Sequence, residues 1–177
     1  MMKTLILYSS VDGQTKKICQ YIADEVKANS NKTVELARLS DFAKQPNFTD
    51  YNDIIIGASI RYGKHRKYVQ QFIEQYKSEL AIKNTAFFSV NLVARKDNKN
   101  TASTCPYMIK FLQTTQWQPT IADVFAGQLD YARYGIFDKL IIKFIMWITK
   151  GPTKSDKPIE FTDWQRVKVF SEQILIL

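Results

Sequence analysis

Three hydroxyl residues, Ser9, Ser10 and Thr15, lie within one short turn that also holds Val11, Asp12, Gly13 and Gln14. Hydroxyls and main-chain N–H groups gathered where a helix begins suit a phosphate dianion. The turn lacks the Gly-Lys-Ser/Thr ending that carries a lysine to the outer phosphates of a nucleotide. It has only Gly13 where a dinucleotide fingerprint needs three glycines. Two readings remain. One is a cradle for a single terminal phosphate, as on FMN. The other is an ordinary helix cap at Ser10 or Asp12, followed by a turn at Asp12-Gly13.

The elements around this turn favour the first reading. Thr4 to Tyr8 is an apolar run with no polar face, as in a parallel strand covered on both sides. Behind the turn, Ile18, Tyr21, Ile22 and Val26 form a helical stripe. Thr33–Ala37 alternates like an edge strand, and Asp53–Gly57 reads as a buried one. Val69, Phe72, Ile73, Tyr76 and Leu80 then mark one amphipathic helix. Thr85–Val90 is a fourth strand, a helix with Met108, Phe111 and Leu112 inward follows, and Ile121–Ala126 is a fifth strand.

Strands alternating with helices predict a parallel sheet with right-handed crossovers. Five of them suggest the doubly wound order 2-1-3-4-5, with a ligand crevice beyond the carboxyl ends of strands 1 and 3. The turn from Ser9 to Thr15 falls there. So do the loop Ser59, Ile60, Arg61, Tyr62, Gly63 and the loop Ser89, Val90, Asn91, Leu92. Three loops on one crevice make a flavin mononucleotide site the better expectation.

With 177 residues, the chain is expected to be one domain with a core of its own. Cys19 and Cys105 suggest neither a disulfide framework nor a metal cluster, and a single histidine, His65, excludes a His-rich metal site. No signal peptide is expected before the first strand, and no apolar run is long enough to span a bilayer. The formal charge of +8 asks for an anionic partner. Nucleic acid is not expected, because the basic residues follow the crevice and the stretch after strand five rather than a recognition motif.

That stretch, roughly 128–158, is long for a connection in a compact domain. Ile136, Phe137, Leu140, Ile141, Phe144, Ile145, Trp147 and Ile148 cover most of a helix at about 135–150, with Lys139, Lys143 and Lys150 as a basic stripe. Gly151-Pro152 stops it. Such a helix can pack on the sheet edge, be buried in a dimer of the chain, or lie in the interface of an anionic membrane. Ile159-Glu160-Phe161 is then expected to resume strand five. Thr162-Asp163-Trp164-Gln165 reads as a capping box opening the last helix, with Val167, Phe170 and Ile174 behind it.

Taken together, the chain resembles the flavodoxin-like protoporphyrinogen oxidase family of bacteria, the quinone-dependent protoporphyrinogen IX dehydrogenases. The resemblance runs from Lys3 to about Ile174. It rests on Asp12-Gly13-Gln14-Thr15, Gly57 to Gly63, Ser89 to Lys96, the Tyr-rich run Leu129 to Tyr134, and Phe161-Thr162-Asp163-Trp164. It implies a flavodoxin-like α/β fold of the long-chain type, with an insertion splitting strand five. It also implies FMN, oxidation of protoporphyrinogen IX to protoporphyrin IX in haem biosynthesis, and electrons passed to menaquinone or ubiquinone. A peripheral place at the cytoplasmic face of the inner membrane would follow. One departure stands out: flavodoxin phosphate loops usually carry a hydroxyl before the glycine, where this chain has Asp12. A carboxylate beside a phosphate is unfavourable unless it points away or caps the helix.

On this reading Ser9, Ser10, Gly13, Gln14 and Thr15 hold the phosphate, with the main-chain N–H groups of Val11 and Asp12 near it. Ser59 to Gly63 and Ser89 to Leu92 frame the ring, and Tyr62 is the candidate to stack on it. Arg61, Arg66, Arg95 and Arg133 are the candidates to pair with the two propionates of the macrocycle. Lys64, Lys67 and Lys96 are alternatives or solvated surface charge. His65 is expected to be exposed, and no general base is assigned. The rivals are a flavodoxin-type electron carrier, usually acidic where this chain is basic, and an NAD(P)H:quinone reductase of the same fold.

Overall fold

Leu5 and Leu7 turn to one face of the first strand and Ile6 to the other, and each face meets its own apolar layer. A computed structural model describes residues 2–132, 134–148 and 151–177, without the side chain of Asp138. Strand β1 (Lys3–Ser9) leads to α1 (Gln14–Asn29), the edge strand β2 (Thr33–Arg38) and a short α2 (Leu39–Phe42). Then come β3 (Asp53–Arg61), β4 (Lys64–His65), α3 (Lys67–Gln75) and α4 (Lys77–Ala81). β5 (Asn84–Asn91), α5 (Pro106–Thr115) and β6 (Ile121–Ala126) complete the main sheet. β7 (Gln128–Leu129), α6 (Ile136–Ile148), β8 (Ile159–Glu160) and α7 (Trp164–Leu175) follow.

The parallel order is β2-β1-β3-β5-β6, the expected 2-1-3-4-5 arrangement once the principal strands are counted. β3 runs four residues beyond Gly57 and folds back on β4 as a short antiparallel hairpin, so the sheet has a sixth member. Helices α1 and α7 cover Ile6, Ile55, Phe88 and Phe125 on one face. The segment from α2 through α5 covers Leu7, Ile56, Phe87 and Val124 on the other. The helix expected from Val69 to Leu80 breaks at Tyr76 into α3 and α4, although both pieces still bury the expected side chains.

The insertion does not split the fifth strand. β6 ends whole at Ala126, and β8 pairs antiparallel with β7 in a separate two-stranded stem. The amide of Phe161 then donates to the Gly127 carbonyl at 3.1 Å, bringing the chain back to where it left. Nor is Thr162 the cap of α7. Asp163 is, its Oδ1 accepting from the amides of Gln165 and Arg166 at 3.0 and 3.2 Å. Thr162 Oγ1 instead donates to the Ala126 carbonyl at 2.8 Å.

At the amino end of the sheet, fully buried Asp53 accepts from Lys32 Nζ at 2.9 Å, Thr4 Oγ1 at 2.9 Å and Asn84 Nδ2 at 3.0 Å. Lys32 and Asn84 also donate to the carbonyls of Ile174 and Leu177, tying the last helix to the sheet. Removing one partner of a buried pair strands the other's charge. Lys32→Met is expected to lower the unfolding free energy by roughly 3 kcal/mol, read as a drop in urea midpoint at neutral pH.

Candidate functional site

The register places Ser9, Ala58, Ser89 and Val124 side by side across four strands, so the loops that follow leave from one edge. At the first of them the chain turns at Gly13, where φ is +94°, and α1 starts at Gln14. That left-handed backbone is open to glycine and strained for other residues. The Gly13 amide donates to Ser10 Oγ at 3.1 Å, closing the loop on itself. One residue into the helix, Thr15 is 1% exposed and its hydroxyl has no hydrogen-bond partner. A buried hydroxyl left unsatisfied costs about 1–3 kcal/mol. A phosphate oxygen at the positive end of α1 would satisfy it, so the residues present fit the terminal phosphate of FMN.

The crevice itself encloses about 860 Å³, counting its open mouth. Its phosphate end is lined by Ser10, Asp12, Gln14 and Thr15, and its middle by Ser59, Ile60, Arg61, Tyr62 and Gly63. Val90, Asn91 and Leu92 line the third side. Asn91 is fixed there by its Oδ1, which accepts from the Ala94 amide at 3.0 Å. Tyr62 also adopts a left-handed backbone (φ 52°), which leaves it 56% exposed over the cavity, as a ring-stacking residue requires.

Arg61 does not wait for substrate. Its Nη1 donates to Asp12 Oδ2 at 2.8 Å, and its guanidinium lies 5.7 Å from the Tyr62 ring centre and 5.3 Å from that of Tyr134. The pair answers the difficulty posed by Asp12: the carboxylate turns to a cation rather than facing the phosphate. Gln14 is engaged too. Its Nε2 donates to Glu160 at 2.9 Å and Thr162 at 2.8 Å, so only its main chain can serve an anion. Glu160 also accepts from Lys17 and Trp164. Burial raises its pKa, but these donors together hold it below the ordinary carboxylate value.

Four expected contacts lie outside the crevice. Ser9 is buried, its hydroxyl sharing a 2.6 Å hydrogen bond with Tyr68. Val11 is exposed, and Gly13 faces an outer groove with Lys16 and Lys17. Ser89 points into the core and meets His65 Nε2 at 3.0 Å. His65 is therefore not exposed: Phe111 and Phe87 stand 4.3 and 5.5 Å from its ring. Among the substrate candidates, Arg66 is exposed at the start of α3 and off the crevice. Arg95 folds back to donate to the Leu92 carbonyl at 2.7 Å and packs toward Gly151 of the insertion. Arg133 lies outside the described residues, as does Lys150 of the basic stripe.

Sequence reasoning missed several walls. Tyr107, Val93, Gly127 and Gln128 complete the rim, and Tyr134, Ile141, Ile142 and Ile145 reach in from the insertion. The helical spacing shows Ile141 and Ile145 on an apolar helix, but neither the part played by Ile142 nor which way that face turns. Ile142 and Met146 pack on Leu129, Tyr131 and Tyr134, seating α6 beside the crevice.

A family model for the flavodoxin domain matches residues 5–156. A protoporphyrinogen IX dehydrogenase [quinone] of Escherichia coli (strain K12) is 42% identical over 98% of this chain and 94% of its own. A protein of the same name from Leishmania major is 42% identical over 99% of this chain and 75% of its own. The chain belongs to the quinone-dependent protoporphyrinogen IX dehydrogenase family. The fold is also that of oxidised flavodoxin 1 from Bacillus cereus, with a TM-score of 0.55 at 16% identity, covering 98% of this chain and 97% of that one. The identity to the bacterial member spans nearly all of both chains.

Two outcomes follow from the geometry. Thr15→Val removes the orphaned hydroxyl, so FMN affinity measured by fluorescence quenching should fall about tenfold or more, while the cofactor-free protein should be no less stable to urea. His65 is held neutral by burial, which pushes its pKa from 6.5 down to about 3. The unfolded chain binds that proton first, so stability is retained above about 6.5 and lost as pH falls towards 3. His65→Phe should flatten that part of an acid-unfolding curve.

Proposed function

We propose that this chain binds FMN in the crevice and oxidises protoporphyrinogen IX to protoporphyrin IX, passing the electrons to a membrane quinone. The observation that carries the reading is the roof of the crevice. The insertion brings Tyr134, Ile141 and Ile145 to the site and leaves its other face bare and apolar. Bound FMN supplies two-electron chemistry, and taking six hydrogens from the macrocycle needs it three times over.

The protein's part is to bind, orient and keep dry. Thr15, Ser10 and the amides opening α1 take the phosphate, and Asn91 and the Ser59–Gly63 loop border the ring. Tyr62 offers the ring face. The isoleucines of α6 give an oily reactant an apolar wall and exclude water beside it.

The outer face of α6 supports a peripheral place on an anionic membrane surface. Phe137, Trp147 and Phe144 are 82%, 70% and 60% exposed, and Ile136, Leu140, Ile141 and Ile148 are exposed with them. On a helical wheel these seven fill one continuous arc, with half-buried Lys139 and Lys143 along its edge. An apolar arc beside lysines suits lipid headgroups above and acyl chains below. No described helix is long and apolar enough to cross a membrane, which fits lying on the surface rather than through it. On this reading the surface is the cytoplasmic face of the inner membrane, where menaquinone or ubiquinone is at hand.

The test is flavin bleaching without oxygen. Protoporphyrinogen IX should bleach the FMN-loaded protein, a quinone should restore the colour, and NADPH should do neither. Bleaching by NADPH alone would instead make the chain a pyridine-nucleotide reductase. In a second measurement, replacing Phe137, Phe144 and Trp147 together by Ser should release the protein from anionic vesicles and slow quinone reduction with flavin content unchanged. Vesicle binding that survives the triple change rules out the membrane role of this face.

A further inference from the structure

A second hollow, about 890 Å³ counting its open mouth, adjoins the flavin crevice and shares Gly63 and Tyr107 with it. Its floor is aromatic, made of Phe111, Tyr107 and His65. Its rim carries Lys64 from β4, Lys67 from the first turn of α3 and Lys110 from α5. No carboxylate lines it, and among the described residues none of these three lysines is in an ion pair. Three elements distant in sequence thus bring uncompensated positive charge over one apolar floor.

Such a hollow raises the local potential for anions. An aromatic base under ammonium groups suits a flat molecule that is apolar in body and carboxylated at one end. The macrocycle of the proposed reaction has that form. Its carboxylates need cations, yet Arg61 is engaged by Asp12 and Arg95 by the Leu92 carbonyl. Gly63 puts no side chain on the boundary between the hollow and the crevice, where a bulky one would stand in the way.

Resting on the function proposed above, we infer that Lys64, Lys67 and Lys110 bind the propionate carboxylates of the substrate. The ring then crosses the Gly63–Tyr107 boundary towards the flavin. The anionic end enters from the side of β4, α3 and α5, and the quinone from the insertion, so the two reactants use different walls of the crevice.

Equilibrium binding to the FMN-loaded protein tests this with two stable probes, protoporphyrin IX and its dimethyl ester, whose carboxylates are masked. Changing Lys64, Lys67 and Lys110 together to Gln should raise Kd for the diacid about tenfold or more, three exposed pairs each contributing on the order of 0.5 kcal/mol. Kd for the ester should not change, and the corresponding triple Arg variant should bind the diacid as the wild type does. Equal diacid binding by the wild type and the Gln variant overturns the assignment, as does wild-type affinity for the ester equal to that for the diacid. Turnover is scored apart from binding. A wild type that does not oxidise protoporphyrinogen IX overturns the proposed function, while a selective loss of diacid binding in the Gln variant still supports the anion site.

Discussion

The parallel register of β1, β3 and β5 is the constraint on which the rest depends. Ser9, Ala58 and Ser89 stand abreast, so each strand hands its chain to a loop at the same edge. What one loop lacks the next supplies: a helix N-terminus, an exposed tyrosine, a fixed asparagine amide. The register is itself held by burial on both faces, since a slip of one residue would turn Ile55 out of one layer and into the other. Gly57 marks how tight this is. A Cβ there would fall 2.3 Å from the Phe88 ring, so β3 and β5 keep their spacing only with glycine at that point.

Charge at the site is arranged to leave the phosphate cradle uncluttered. Asp12 is drawn to Arg61, Glu160 to Lys17, and Arg61 is flanked by two aromatic rings. Among the described residues, the one buried side-chain polar atom left without a partner is Thr15 Oγ1, where an acceptor is wanted. Glu160 also joins two parts of the chain. It lies on the returning strand of the insertion stem, yet three of its hydrogen-bond donors come from the start of α1 and of α7. Seating the insertion and shaping the phosphate turn are therefore coupled.

Much of this was legible because it is periodic. Four of the principal strands show as apolar runs and the edge strand as an alternation, and the crevice follows from their order alone. What escaped depends on partners far away in sequence. His65 reads as a surface residue until Phe87 and Phe111 close around it. Ser89 sits at the right height on its strand, but the pleat turns it inward. Arg61 reads as a substrate ligand until Asp12, 49 residues earlier, claims it. Ile159 and Glu160 look like the resumption of a strand because two residues cannot announce their partner. The cap of α7 was misplaced by one residue because Thr162 and Asp163 are both good acceptors, and tertiary contact with Ala126 drew the threonine away.

The insertion leaves and rejoins the chain at adjacent points, Gly127 and Phe161, across a stem of two residue pairs. Nothing in the sheet has to bend to admit it. A flavin-binding core with a plain turn at that position would keep the same strand order and lose only its oily canopy. The canopy can thus be exchanged while the cradle beneath stays as it is.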